Sequence, residues 1–318
     1  MVQKQIGCRG IALALFKIMR ASSKKKKKTS LYLGIAFLAG GLLMLFGQSK
    51  VAPQVQPETQ AVVTPISIDE SLSHKKIGSS VEGRAIEAYT FGTGTTRLLF
   101  VGGMHGGYEW NSVVLAYRLI ASLKDHPEII PANLTVTIIP SANPDGVYEI
   151  IGREGDFLPS DVPHTTKPEG YGRLNAHGVD LNRNFDCNWE SKSMWRGETV
   201  GAGTKAFSEP ETTSLRDYVL ANKPTAVIFW HSQANAVYAS QCNSGILPET
   251  LSLMNTYAKA SGYTPIKSFD AYKVTGDAEG WLASIKIPAI TVELETHQTI
   301  EWERNLAGVI ALFDFYKS

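Results

Sequence analysis

Three short apolar runs constrain this chain more than anything else in it. LLFVG (98–102), AVIFW (226–230) and ITV (290–292) each stop at residues that can hold a metal or move a proton. The first run leads into GMHGGYE, with His105 and Glu109, the second into His231 and the third into Glu293. Between and after them lie stretches with helical spacing: NSVVLAYRLIASLKD, SEPETTSLRDYVLANK, PETLSLMNTYAKASG and residues 299–317. Strands that alternate with helices build a doubly wound sheet. The expected fold is therefore α/β, with a mixed, mostly parallel sheet flanked by helices. Ligand sites in such sheets lie beyond the carboxyl ends of the strands, so the three runs deliver their polar residues to one edge. Glycines around His105 let the backbone turn sharply off the strand and approach a bound group closely.

Local signals add detail. LTVTIIP reads as a buried strand. AIEAYTF and RLLFVGG flank a Gly-Thr turn and read as a hairpin. Ser208 stands three residues before Glu211, a capping-box pattern, with Pro210 in the first turn. Gly262 is a suitable helix C-cap.

The N-terminal part has a different character. Lys17, Arg20 and the run Lys24 to Lys28 precede LYLGIAFLAGGLLMLFG (31–47), which carries no charge. As a helix it would span about 26 Å, close to the short limit for a hydrocarbon core of about 30 Å. The expectation is a basic cytoplasmic segment over 1–30 and an anchor or signal segment over 31–47, with the rest of the chain sent outward by the flanking lysines. GQS at 47–49 leaves cleavage of a signal peptide open, so the product is either a single-pass membrane protein or a secreted one. Residues 48–65, rich in Pro, Gln and Val, read as an extended linker, and 66–318 as one catalytic domain. Net charge is +1, so no global basic field points to nucleic acid. Cys187 and Cys242 fall in the exported part, where they either pair or stay free.

Catalytic zinc takes three protein ligands, drawn from His and carboxylates, and keeps a fourth position open. His105, Glu109 and His231 supply such a set. Around it the sequence resembles the zinc carboxypeptidases of the carboxypeptidase A type over roughly residues 75–318. GMHGGYEW is similar to the first ligand motif, SANPDGV to the strand-end turn that follows, and GVDLNRNFDCNW to the substrate-binding signature. WHS is similar to the third-ligand segment, YKVTGDAEGW to the Tyr loop and TVEL to the strand of the catalytic Glu. The chain departs from the pattern in one place: it has three residues between His105 and Glu109 where the family usually has two.

The resemblance implies one zinc ion and a role for each matching residue. Glu293 is the general base. Arg173 polarises the scissile carbonyl, and Asn182 and Arg183 grip the C-terminal carboxylate of a peptide. Tyr272, nine residues before Trp281, is the mobile Tyr that closes over the substrate. Asp180 is the acid that orients His105. Glu279, seven residues after Tyr272, lies at the base of the pocket for the C-terminal side chain, with Asp277 nearby. An acid there implies a basic or diaminopimelate residue; the anchor-like segment and the IGSSVEGRAIEAY opening also resemble murein-peptide amidases of this family, which implies a cell-wall peptide as substrate. Two other readings stay open: an aspartoacylase-type zinc deacylase, and an inactive membrane-tethered peptide-binding module. His74, His126, His164, His177 and His297 lack a strand-end setting and read as structural or exposed.

Overall fold

The computed structural model describes residues 72–164 and 167–317. The basic segment 1–30, the apolar run 31–47 and the linker 48–65, with their boundaries, lie outside the described residues. Among the described residues no helix is long and apolar enough to cross a membrane.

An eight-stranded sheet is built from β1 (Leu72–Ser79), β2 (Ala85–Phe91), β3 (Thr96–Val101), β4 (Leu134–Ile139), β7 (Ala226–Ser232), β8 (Ala236–Ala239), β9 (Thr264–Ile266) and β10 (Ala289–Leu294). Its order is β1-β2-β4-β3-β7-β10-β8-β9. The central block β4-β3-β7-β10 is parallel throughout, and antiparallel pairings flank it. Two short strands, β5 (Lys192–Trp195) and β6 (Glu198–Gly201), form a separate hairpin. The mixed, mostly parallel α/β sheet expected from the sequence is the one observed.

Side chains alternate faces along each strand, and both faces are covered. Leu98 and Phe100 pack in one layer with Leu119 of α1 (Trp110–Asp125), Tyr257 of α4 (Pro248–Ser261) and Phe313 of α6 (Trp302–Tyr316). Leu99 and Val101 pack in the other with Val219 of α3 (Pro210–Asn222) and Leu282 of α5 (Ala278–Ser284). Burying each such side chain stabilises the fold by about 1.5–3 kcal/mol, which is why near-continuous apolar runs occupy the sheet centre. A short helix, α2 (Pro144–Ile151), follows β4. It is capped by the Asn143 side chain, which accepts from Gly146 N.

Two local expectations are corrected. β2 and β3 do not form a hairpin: β4 lies between them, antiparallel to β2 and parallel to β3. The connection passes over the end of β4, where Gly94 donates its N–H to Leu134 O and lies so close to Asn133 that a Cβ would sit 1.9 Å from that backbone. β3 buries Leu98 to Val101 on both faces, which a central parallel strand allows; β2 alternates and suits a more peripheral place. The capping box at Ser208 is also absent. Glu209 is the N-cap and makes no side-chain cap bond. The Ser208 hydroxyl donates to Glu209 Oε1, while Glu211 accepts from Val81 N and Asn175 Nδ2. Tertiary partners have claimed both side chains. Pro210 does open the helix, and Gly262 ends α4 at φ +77°.

Cys187 and Cys242 are disulfide-bonded, with Cα atoms 6.3 Å apart and 55 residues between them in sequence. The bridge ties the segment after Arg183 to the segment after β8. Closing a loop of that length confines the unfolded chain, so replacing both cysteines with Ser should lower stability by about 2–4 kcal/mol in denaturant unfolding. The chain has three cysteines, so unfolded, unreduced protein should show at most one reactive thiol, Cys8, and none if the segment up to 47–49 is removed. More than one reactive thiol would contradict the bridge.

Candidate active site

β3, β7 and β10 run in the same direction, and their register sets Val101 against Phe229 and Glu293 against His231. The parallel block therefore ends in one row of polar residues. After β3 the chain makes a single 3-10 turn over Gly106–Glu109. Gly106 has φ +49°, and a Cβ there would lie 2.5 Å from Gly172 O. A Cβ on Gly107 would lie 2.4 Å from Ile150. These glycines answer a lack of space beneath α2. The tight turn also absorbs the additional residue between His105 and Glu109 and brings their side chains together.

The three expected ligands converge. His105 Nδ1 is 2.7 Å from Glu109 Oε1, His231 Nδ1 is 2.9 Å from Glu109 Oε2, and the two Nδ1 atoms are 3.1 Å apart. All three side chains are buried. Tetrahedral zinc with bonds of about 2.0–2.1 Å spaces its donors at about 3.3 Å. Both Nε2 atoms are buried without a hydrogen bond, and the nearest acids are Asp180, 3.5 Å from His105 Nε2, and Glu279, 3.6 Å from His231 Nε2. Carboxylates behind the rings favour a proton on Nε2 and leave the Nδ1 lone pairs facing the centre. The set fits a single zinc ion. Burial pushes the Glu109 carboxyl up, but the charges of His105 and His231 outweigh it and hold Glu109 well below the usual range.

Arg173 stands beside this cluster. Its Nε and Nη2 both donate to Asp180 Oδ2, at 3.0 and 2.9 Å, and its Nη1 lies 3.6 Å from Glu109 Oε1. Burial raises the Asp180 carboxyl, but Arg173, Arg183 and His105 outweigh it and keep it ionised. Asp180 thus holds Arg173 and lies 3.5 Å from the back of His105. Glu293 faces the same centre. Burial and the Glu109 charge push its carboxyl up to about 8.

A cavity of about 560 Å³ opens over these groups. Asn182 and Arg183 line it. Asn182 Oδ1 accepts from Ala278 N at 2.9 Å, so its amide N–H groups are left for the cavity. Arg183 is 3% exposed and donates only to the carbonyl oxygens of Asn182 and Met194. Among the described residues it has no carboxylate partner within ion-pair distance. Tyr272 reaches the cavity from an exposed loop, its ring edge-on to Phe269.

The acids near α5 are placed differently from each other. Asp277 is the N-cap of α5 and accepts from Gly280 N at 2.7 Å; burial and Glu279 push its carboxyl up to about 6. Glu279 is buried and accepts from Thr291 Oγ1 at 2.8 Å. Both line the cavity.

His297, expected to be structural or exposed, lines the cavity beside Tyr108 and Trp195. Burial lowers its pKa. Tyr108, Trp195 and Arg196 line the cavity too, without a motif in the sequence that marks them. Only the position of Tyr108 beside a ligand hinted at its place. The other two belong to the β5–β6 hairpin, whose docking no local pattern reveals.

Such a fold and centre make an α/β domain with a single His-Glu-His metal centre at the carboxyl ends of its parallel strands. The sequence profile of the zinc carboxypeptidase family matches residues 65–305, and the chain belongs to that family. Among curated relatives it is 24% identical over 238 residues to gamma-D-glutamyl-L-diamino acid endopeptidase 1 of Lysinibacillus sphaericus, covering 69% of this chain and 59% of that protein. It is 29% identical over 131 residues to murein peptide amidase A of Escherichia coli, covering 38% of this chain and 50% of that one. The chain thus spans 59% and 50% of the length of these relatives. Solved structures share the fold. Thrombin-activatable fibrinolysis inhibitor superposes with a TM-score of 0.63 at 19% identity, over 77% of this chain and 69% of that one. The murein-tripeptide amidase of E. coli O157 does so with 0.54 at 21% identity, over 81% and 98%.

Proposed function

We propose that this protein is a zinc metallocarboxypeptidase that hydrolyses the last amide bond of peptides with a free C-terminal carboxylate. The observation that carries this reading is Arg183, a buried cation on the cavity wall whose partners are all carbonyl oxygens. A planar guanidinium binds carboxylate in a forked, charge-assisted geometry, and the Asn182 amide adds donors beside it.

Bound at His105, Glu109 and His231, zinc supplies Lewis-acid polarisation of the scissile carbonyl and activation of water. Glu293 takes the proton from the attacking water and passes it to the leaving amine. Arg173 has two of its nitrogens fixed on Asp180, so Nη1 is held ready to stabilise the developing oxyanion. Asp180 positions Arg173 and His105 together. Tyr272 closes over the bound peptide from its loop. An intact Glu293 beside a complete ligand set speaks against the binding module, and Asn182 and Arg183 on the cavity wall with the Tyr272 loop favour the peptidase over the deacylase.

The substrate reading is a C-terminal residue with a positive side chain, such as Lys or diaminopimelate in a cell-wall peptide. Asp277 and Glu279 on the cavity wall support it, as do the diamino-acid and murein specificities in the names of the two relatives. The site is more crowded than an open acidic floor, because Asp277 caps α5 and one oxygen of Glu279 holds Thr291. Ion pairing in a partly dry pocket still favours a cation: a hydrogen bond to a charged group contributes about 1.5–3 kcal/mol. Matched peptides ending in Lys, Phe and Glu should therefore differ, with Lys cleaved at least about tenfold faster than Phe. Glu279→Gln should remove most of that ratio. Equal rates for Lys and Phe would end the idea, and a Lys preference that survives Glu279→Gln would move the role to Asp277.

The same reading places the domain outside the cytoplasm, tethered or released through residues 31–47. The Cys187–Cys242 bridge supports this, because disulfides persist in oxidising compartments.

A further inference from the structure

A peptide whose carboxylate is gripped by Asn182 and Arg183 ends there. Part of the remaining cavity wall is a contiguous group, Tyr108, Trp195, Ser232 and His297, against which the rest of the chain can lie. We propose that His297 is a substrate-binding residue in that part, where its Nε2 accepts a hydrogen bond from a backbone N–H of the peptide segment N-terminal to the scissile bond. The inference rests on the carboxypeptidase reading and adds to it a determinant on the acyl side.

A chain of hydrogen bonds determines which ring nitrogen of His297 is available. Asn111 Nδ2 donates to two carbonyl oxygens, Thr296 O at 2.6 Å and Thr299 O at 3.0 Å. Those two bonds orient the amide and hold the loop that carries His297. Asn111 Oδ1 is then left as an acceptor, and the Ser232 hydroxyl donates to it at 2.9 Å. A hydroxyl has one proton to give. His297 Nδ1, 2.7 Å from Ser232 Oγ, must therefore be the donor in that contact. The neutral ring then carries its proton on Nδ1 and has a lone pair on Nε2.

Nε2 has no hydrogen-bond partner among the described residues. It is not among the fully buried atoms that lack one, so it is accessible. The ring packs against Tyr108 with centroids 4.6 Å apart, and Tyr108 packs edge-on to Trp195 at 5.4 Å. The Arg173 guanidinium lies over the Trp195 ring at 4.6 Å. An aromatic wall thus stands beside the reaction centre, with one fixed acceptor set into it. An extended peptide offers N–H donors along such a wall, and a pre-oriented acceptor binds one with little ordering cost.

The test uses an N-acetylated tripeptide ending in Lys and two analogues. One is N-methylated at the residue just before the scissile bond, the other one residue further back. In the wild type, one of the two analogues should lose about threefold to tenfold in kcat/KM, mostly through KM, the size of one net hydrogen bond. In His297→Ala the unmethylated peptide should fall to that same level, and methylation should then cost nothing more. His297→Gln, which restores an acceptor at similar reach, should recover part of the loss. Equilibrium binding of the three peptides to Glu293→Gln protein, with and without His297→Ala, should give the same pattern without turnover. Equal losses on methylation with and without His297, or no loss in either, would overturn the inference while leaving the peptidase reading in place. If the wild type cleaves no peptide at all, the peptidase reading fails and takes this inference with it.

Discussion

Glu293→Gln protein should bind zinc as the wild type does and turn over peptide at least about 100-fold more slowly, the usual share of a general base. Gln keeps the shape of the side chain at the end of β10 and removes its capacity to hold a proton. The sign of the pH dependence follows from the same group. Only the ionised carboxylate can accept a proton, so kcat/KM should rise with pH through the Glu293 pKa. Burial and the Glu109 charge push that value up to about 8. A dication bound against Glu109 opposes the push, so the rising limb should fall below 8 in the zinc enzyme. The limb should vanish in Glu293→Gln. Normal turnover in that variant, or a rising limb that survives it, would remove Glu293 from the mechanism.

Glu109→Gln should cost the protein its zinc. Among the described residues, Glu109 is the only carboxylate between two imidazole nitrogens that lie 3.1 Å apart, and its charge is what offsets a buried dication there. With a neutral amide in its place, two His donors remain, fewer than the three protein ligands of a catalytic site. Metal analysis after dialysis should show well under one zinc per chain, and peptide turnover should drop at least about 100-fold. Full zinc occupancy with full activity would show that the three-residue spacing after His105 has moved the carboxylate ligand elsewhere.

The parts of this molecule that could be read from the sequence are those whose signal is local. Apolar runs ending at His105, His231 and Glu293 announce parallel strands that are buried on both faces, and parallel strands bring their carboxyl ends to one edge. Asp180, Asn182 and Arg183 sit in a single short stretch of chain, so the register of one loop delivers all of them. What stayed hidden depends on partners far away in sequence. β4 enters between β2 and β3 because β3 needs apolar neighbours on both sides, and no pattern in AIEAYTF or RLLFVGG records that insertion. Ser208 and Glu211 carry a helix-start pattern, yet Glu209, Val81 and Asn175 offer them stronger use. β9 is only Thr264–Ile266, with Pro265 at the sheet edge, too short to show a period. His297 looked idle because its role in the cavity wall comes from Asn111, 186 residues earlier, which holds its loop and orients its ring through Ser232. Glu279 shows the same limit: its distance from Tyr272 implied an acidic pocket floor, and only the packing shows Thr291 and His231 beside it.

Mass spectrometry of a peptide mixture incubated with the purified protein tests the central claim most directly. The mixture pairs each free C-terminal peptide with its C-terminal amide, and each reaction is run with zinc, with a chelator, and with zinc restored after chelation. The account predicts loss of single residues from the C-terminus of the free peptides, their amides spared by at least about 100-fold because Arg183 finds no carboxylate. Chelation should abolish the reaction and zinc should restore it. Cleavage that persists under chelation, or that treats amidated and free peptides alike, would contradict it.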